Sequence, residues 1–94
     1  MKKTYKKIVT DKKDIVFIIG GFKIINCYNS IANSYYGFKL DCFIETLQAF
    51  LIDYPNFLNE IDLMICDKSL ENWLTKEGFT MAEPSNMDLL VNNR

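Results

Sequence analysis

The chain has no histidine. That removes the side chain whose proton changes hands nearest neutral pH, the commonest general acid–base catalyst and metal ligand. The cysteines, Cys27, Cys42 and Cys66, are odd in number and widely spaced. Neither a disulfide framework nor a C-x-x-C metal site is indicated, and free, partly buried thiols are expected. There is no G-x-S-x-G elbow, no Walker loop and no G-x-G-x-x-G; Gly20-Gly21 reads as a turn and not as a phosphate cradle. The longest apolar run, Ile15 to Ile19, falls far short of the ~18 residues a membrane span needs. It is also too short for a signal-peptide core, and no small-residue cleavage site follows it, so a cytosolic protein is expected. Repeats, low-complexity tracts and internal linkers are missing. These absences argue against an enzyme and predict no cofactor and no metal.

What remains is ordinary for a small globular domain: 94 residues, 49% hydrophobic and 24% charged. The net charge of −1 hides an asymmetry. Residues 1–23 hold seven lysines against Asp11 and Asp14, whereas residues 24–94 hold four cations against ten acids. The expected organisation is a basic lead-in over residues 1–13 and one acidic domain over 14–94. An acidic body repels nucleic acid and steers toward basic partners. The lysine-rich head offers the alternative of a small nucleic-acid-associated or phage-type regulator.

Asp14-Ile15-Val16-Phe17-Ile18-Ile19 is β-branched and aromatic, and apolar on both faces after its first residue. It fits a strand buried on both sides. Gly20-Gly21 ends it. Phe22 to Ile25 either returns as a hairpin strand or leads into a short helix over 26–33, and the helix is preferred. Residues 39–53 read most clearly as a helix, with Leu40, Phe43, Ile44, Leu47, Phe50 and Leu51 at helical spacing and Pro55 just beyond. Phe57 to Asp67 fits a strand or a helix equally. Ser69 is a plausible N-cap for a helix over 70–77, with Gly78 as its C′ residue. Residues 87–91 read as a short final strand. The expected fold is therefore α/β: a small three-stranded parallel sheet with helices packed on it, in the order β-α-α-β-α-β. The alternative is a mostly helical chain with an N-terminal hairpin.

The candidate site is Tyr35-Tyr36-Gly37 and the helix expected to follow it. Tyr35 and Tyr36 are rigid amphipathic anchors of the kind that dominate interfaces. Gly37 permits a sharp turn. Asp41 and Glu45, four residues apart, would share one helical face and present two carboxylates to a basic cleft.

Tyr35-Tyr36-Gly37, Leu40-Asp41, Glu45 and Leu47 together resemble the barstar family of ribonuclease inhibitors, whose members carry a Tyr-Tyr-Gly turn, then Leu-Asp, then an amphipathic helix with a second acid one turn on. With Ile15 to Gly21 ahead of the motif, the resemblance covers roughly residues 14–55. It implies a stoichiometric inhibitor, an immunity protein, that blocks a ribonuclease toxin with an acidic helix in a 1:1 complex. Under that resemblance Tyr35 would sit against the nuclease and Asp41 would pair with cleft cations. Glu45 stands where the family has its dominant aspartate, and Phe50 where it has an aromatic. Ile44 replaces a tryptophan of the family contact, Glu45 is one methylene longer than the family acid, and Lys39 adds a positive charge. The chain also resembles, more loosely, helical immunity proteins of contact-dependent growth inhibition systems, through Tyr35-Tyr36, Asp41, Asp53-Tyr54-Pro55 and Leu70 to Leu74. Both resemblances imply an antitoxin that binds a basic nuclease, with no membrane and no direct nucleic-acid contact.

Overall fold

A computed structural model describes residues 3–64 and 66–82. Four strands run as an antiparallel meander: β1 (Thr4–Val9), β2 (Ile15–Ile19), β3 (Phe22–Asn29) and β4 (Ser34–Asp41). Three helices follow, α1 (Ile44–Asp53), α2 (Phe57–Asp62) and α3 (Asp67–Lys76). The chain then returns as β5 (Thr80–Met81), parallel to β1, and the sheet order is β4-β3-β2-β1-β5. This five-stranded mixed sheet overturns both the three-stranded parallel arrangement and the mostly helical alternative.

The meander follows from local chemistry. Gly20 and Gly21 join β2 to β3 with Ile19 facing Phe22, and Gly20 takes φ +60°. A positive φ at the first of two loop residues suits the turn whose twist matches that of the flanking strands. The β3–β4 turn is held by Asn29, whose Oδ1 accepts the amides of Ile31 and Ala32, with Asn33 at φ +55°. At the β1–β2 turn the Asp14 amide donates to Thr10 Oγ1 and Lys13 takes φ +70°.

Three segments depart from the sequence reading. Thr4–Val9, expected in a loose lead-in, form β1 and pair with both β2 and β5. Residues 26–33, expected as a helix, continue β3 and turn into β4. Asn26 occupies a core-facing position of β3, and this polar residue where the period calls for an apolar one disguises the strand. The helix expected over 39–53 begins only at Ile44, because Lys39, Leu40 and Asp41 pair with Ile25, Ile24 and Lys23 of β3. Leu40 still packs against the core, but from a strand. Between Phe57 and Asp67 the helical option holds, as α2. The strand expected over 87–91 lies outside the described residues.

One face of the sheet carries the core. Tyr5, Ile15, Phe17, Ile19, Phe22 and Ile24 are buried there against Phe57 and Ile61 of α2 and Leu70, Trp73 and Leu74 of α3. Helix α1 buries no residue fully; Leu47, Phe50 and Leu51 are only half-covered. α3 ends in a Schellman motif. The Phe79 amide donates to the Leu74 carbonyl at 2.8 Å and the Gly78 amide to Thr75 at 3.0 Å, with Gly78 at φ +94°. That reversal aims the chain at β1, where the Thr80 amide donates to the Lys3 carbonyl and the Ala82 amide to that of Tyr5.

Two electrostatic features bear on stability. Lys7 reaches from β1 to α3 and contacts Asp67 at 2.8 Å and Glu71 at 3.0 Å. The Lys7 ammonium holds the Asp67 carboxyl below its ordinary value, and Asp67 in turn raises Lys7. Asn26 is 1% exposed, and neither of its side-chain polar atoms has a hydrogen-bond partner among the described residues. A buried amide left unpaired costs on the order of 1–3 kcal/mol.

Two outcomes are expected. Asn26→Leu, close to Asn in size, should raise the unfolding free energy by about 1–2 kcal/mol in urea titration. An unchanged or lower midpoint would mean that the amide contributes favourably. Lys7→Met should cost about 1 kcal/mol at pH 7, the upper end for a partly exposed pair. Because the folded Asp67 pKa is depressed, the pair stabilises above the ordinary carboxylate range near ~4 and is lost as pH falls through the lower folded value. The wild-type and Lys7→Met midpoints should therefore converge toward pH 2; a gap that persists there would assign the loss to packing.

Candidate functional site

Among the described residues β4 is the outermost strand, and one side of its backbone has no neighbouring strand there. Its register against β3 slips between Cys27 and Tyr28: Cys27 faces Gly37 and Tyr28 faces Tyr35, leaving Tyr36 as the extra residue of a bulge. Bulges bend and twist an edge, and this one turns the Tyr36 ring outward, where the residue is 69% exposed. The Cys27 thiol beside its hydroxyl raises the Tyr36 phenol above its ordinary value. Gly37 continues the strand at φ +154°, a backbone that favours glycine. The Tyr-Tyr-Gly segment is thus an edge strand and not the turn into a helix.

The two tyrosines play different parts. Tyr35 packs edge-on against Tyr28 with centroids 4.9 Å apart, and its hydroxyl donates to the Lys13 carbonyl at 3.0 Å. The Tyr28 hydroxyl bonds Asn33, and the Lys13 ammonium lies 5.5 Å from the Tyr28 ring centre. Tyr35 therefore ties the β3–β4 hairpin to the β1–β2 turn, and Tyr36 is the ring offered to solvent.

Asp41 and Glu45 are both exposed, but they do not share a helical face. Asp41 is the last residue of β4, opposite Lys23, and Glu45 lies in the first turn of α1 after the Cys42-Phe43 connection. The strand pairing of Leu40 breaks the helical spacing that put them together. Glu45 instead meets the positive end of the α1 dipole. Ile44 is 60% exposed beside it. Phe50 lies elsewhere, stacked on Phe22 at 4.6 Å and packed against Tyr54 and Phe57. It joins the layers of the fold. The structure thus places Tyr36, Gly37, Asp41, Ile44 and Glu45 along one exposed run from the sheet edge into α1, with Tyr35 at its anchored end and Phe50 inside.

Sequence reasoning missed a groove of about 580 Å³ beside that run, between Phe38 and Leu40 of β4 and Leu58, Ile61 and Met64 of the α2 segment. The alternation of Phe38 and Leu40 was the available signal; the helical spacing of Leu40 with Phe43 and Leu47 obscured it. The lysine-rich head is partly engaged in internal contacts: Lys7 is ion-paired, and Lys3 lies 5.4 Å from the ring centres of both Tyr54 and Phe79. Among the described residues no group of His, Cys, Asp or Glu is arranged to hold a metal ion, and no helix is long and apolar enough to cross a membrane.

No family model, no curated protein and no solved structure matches this chain.

The thiols differ in a checkable way. The hydroxyl and amide of Ser69 pull the Cys66 thiol below its ordinary value, while burial and the nearby Asp41 push Cys42 up. Iodoacetamide should alkylate Cys66 first, with the rate rising at lower pH than for Cys42. Equal rates by peptide mass spectrometry would show that the Ser69 contacts do not persist in solution.

Proposed function

We propose that this chain is an immunity protein, a stoichiometric inhibitor that binds a basic toxin, most simply a nuclease, inside the producing cell and occludes its active site. The observation that carries the reading is the set of exposed side chains between Tyr36 and Glu45, in which an aromatic anchor, an aliphatic residue and two carboxylates stand along a strand edge and a helix start while Phe38, Leu40 and Cys42 between them turn inward. Large aromatic side chains supply contact area at low entropic cost, and carboxylates supply steering and pairing to a cationic cleft.

The mechanism differs from insertion of one acidic helix. Two elements would share the contact: β4 supplies Tyr36 and Asp41, and α1 supplies Ile44 and Glu45. A partly freed sheet edge also gives backbone donors and acceptors to a partner, a common way of recognising extended segments. Association would be accelerated by opposite charge, so the on-rate should fall as salt rises.

The test is a tagged pull-down from the source cells beside the Asp41→Lys/Glu45→Lys variant, followed by titration of the recovered toxin. Wild type should recover a basic nuclease and inhibit it at one-to-one stoichiometry. Asp41→Ala or Glu45→Ala should each weaken binding by at least ~2 kcal/mol, roughly thirtyfold. Recovery of the same partners by wild type and the double variant would remove this surface from the argument.

A further inference from the structure

Among the described residues no helix covers the second face of the sheet, and that face is not built for water. An antiparallel sheet with one solvated face alternates apolar and polar residues. β2 does not: Ile15, Phe17 and Ile19 lie under the helices, and Val16 and Ile18 point the other way. The register aligns Ile8, Val16 and Ile25 in one row across β1, β2 and β3, with Ile18 in the next row. Ile8 is 46% exposed, and Val16, Ile18 and Ile25 are half-buried by their neighbours. At a strand spacing of ~4.8 Å the row is about 10 Å long, the width of one helix.

Lysines border this patch. Lys6 and Lys23 flank Ile18 on either side, and Lys39 ends the row beyond Ile25. Their stems can lie along the isoleucines while the ammonium groups ring the patch. On the same face Asp41 sits opposite Lys23, and Asp14, at the far end, accepts the Tyr28 amide at 2.7 Å.

The complement of this face is on the same molecule. Helix α1 also leaves apolar side chains uncovered: Leu47, Phe50 and Leu51 turn inward, while Ile44 and Ile52, about 80° apart around the helix with Gln48 between them, are 60% and 80% exposed. Its only charges are Glu45 and Asp53, and across residues 44–77 two lysines stand against seven acids. Ile44 and Ile52 lie about 12 Å apart along the helix axis, close to the length of the isoleucine row. Helices and open face lie on opposite sides of the sheet, so the two surfaces of one molecule cannot meet.

We propose that the open sheet face of one copy binds helix α1 of a second copy, head to tail. The contact is heterologous and non-closing, so it propagates into short chains of molecules. Matching two open faces would set lysines against lysines. The proposal stands independently of the inhibitor reading, although a toxin seated on Ile44 and Glu45 would compete with the neighbouring copy.

The test is sedimentation velocity on the whole chain from about 10 µM to about 1 mM, the range in which a weak contact populates. The mean mass should rise with concentration and fall with added salt. Lys6→Glu/Lys39→Glu, altering only the sheet face, and Ile52→Glu, altering only the helix, should each weaken self-association at least tenfold. Mixed together, the two variants should form a one-to-one dimer that grows no further, because one intact surface remains on each. Methyl spectra of wild type should shift on dilution at Ile8, Ile18, Ile25, Ile44 and Ile52, which reads the contact even if a variant misfolds. A wild type that stays monomeric at about 1 mM, association that both variants leave intact, growth only with added oligonucleotide, or shifts confined to other residues would overturn the proposal. Lys6→Glu alone, on β1 with β2 and β3 between it and β4, leaves Tyr36, Asp41, Ile44 and Glu45 and their surroundings in place, so toxin binding by that variant reports on the inhibitor reading alone.

Discussion

Phe22 is the residue on which the layers meet. It opens β3 directly after the glycine turn, is 1% exposed, and stacks on Phe50 of α1 while meeting Phe57 of α2 edge-on. Trp73 of α3 completes the group against Phe50, Phe57 and Tyr54. Aromatic contacts of this geometry add to area burial. Among the described residues, one cluster therefore fixes the three helices on one face of the sheet and leaves the other face, the β4 edge and the outer side of α1 uncovered. Each surface argued above is a remainder of that single packing choice.

The fold was only partly legible in the sequence. β2 was plain because its β-branched run has no helical stripe to compete with it. Leu70, Trp73 and Leu74 marked α3, and Gly78 its end. β3 was hidden by Asn26, and β4 by a coincidence of spacing, since Leu40 falls at a helical interval from Phe43, Ile44 and Leu47 while pairing with Ile24. Short apolar segments carry both periods at once, and the partner strand decides between them. β1 was obscured by its lysines: Lys6 and Lys7 look like a solvated terminus until Lys7 finds Asp67 and Glu71, sixty-odd residues away.

The candidate site was legible as chemistry and not as geometry. Tyr36, Asp41, Ile44 and Glu45 do come to one exposed run, because residues so close in sequence can hardly be parted. The supposed common helical face was an inference from spacing, and it failed with the helix boundary. The fold that the barstar resemblance implied failed with it, since a motif of a few residues constrains local composition and not strand order. The charge asymmetry fared differently. Among the described residues, most of the lysines of the first 23 positions lie on β1, β2 and their turns, whereas residues 44–77, which hold the three helices, carry two lysines against seven acids, so an imbalance along the chain turned into opposite electrical character on the two layers.

β5 is only two residues long, yet it sets an order of events. Its anchor, Thr80 on the Lys3 carbonyl, joins positions 77 apart in the chain. Bringing such distant positions together carries an entropic cost that grows only slowly with separation, but it must be met before a pair of backbone bonds returns anything. The meander is local and can assemble alone; the clasp can close only after α3 has docked and its glycine reversal has aimed Phe79 at the sheet. The outer edge of β1 is then the last part of the molecule to gain protection and the first to open. Its two ends come loose together, as one cooperative unit, while the centre of the sheet remains intact.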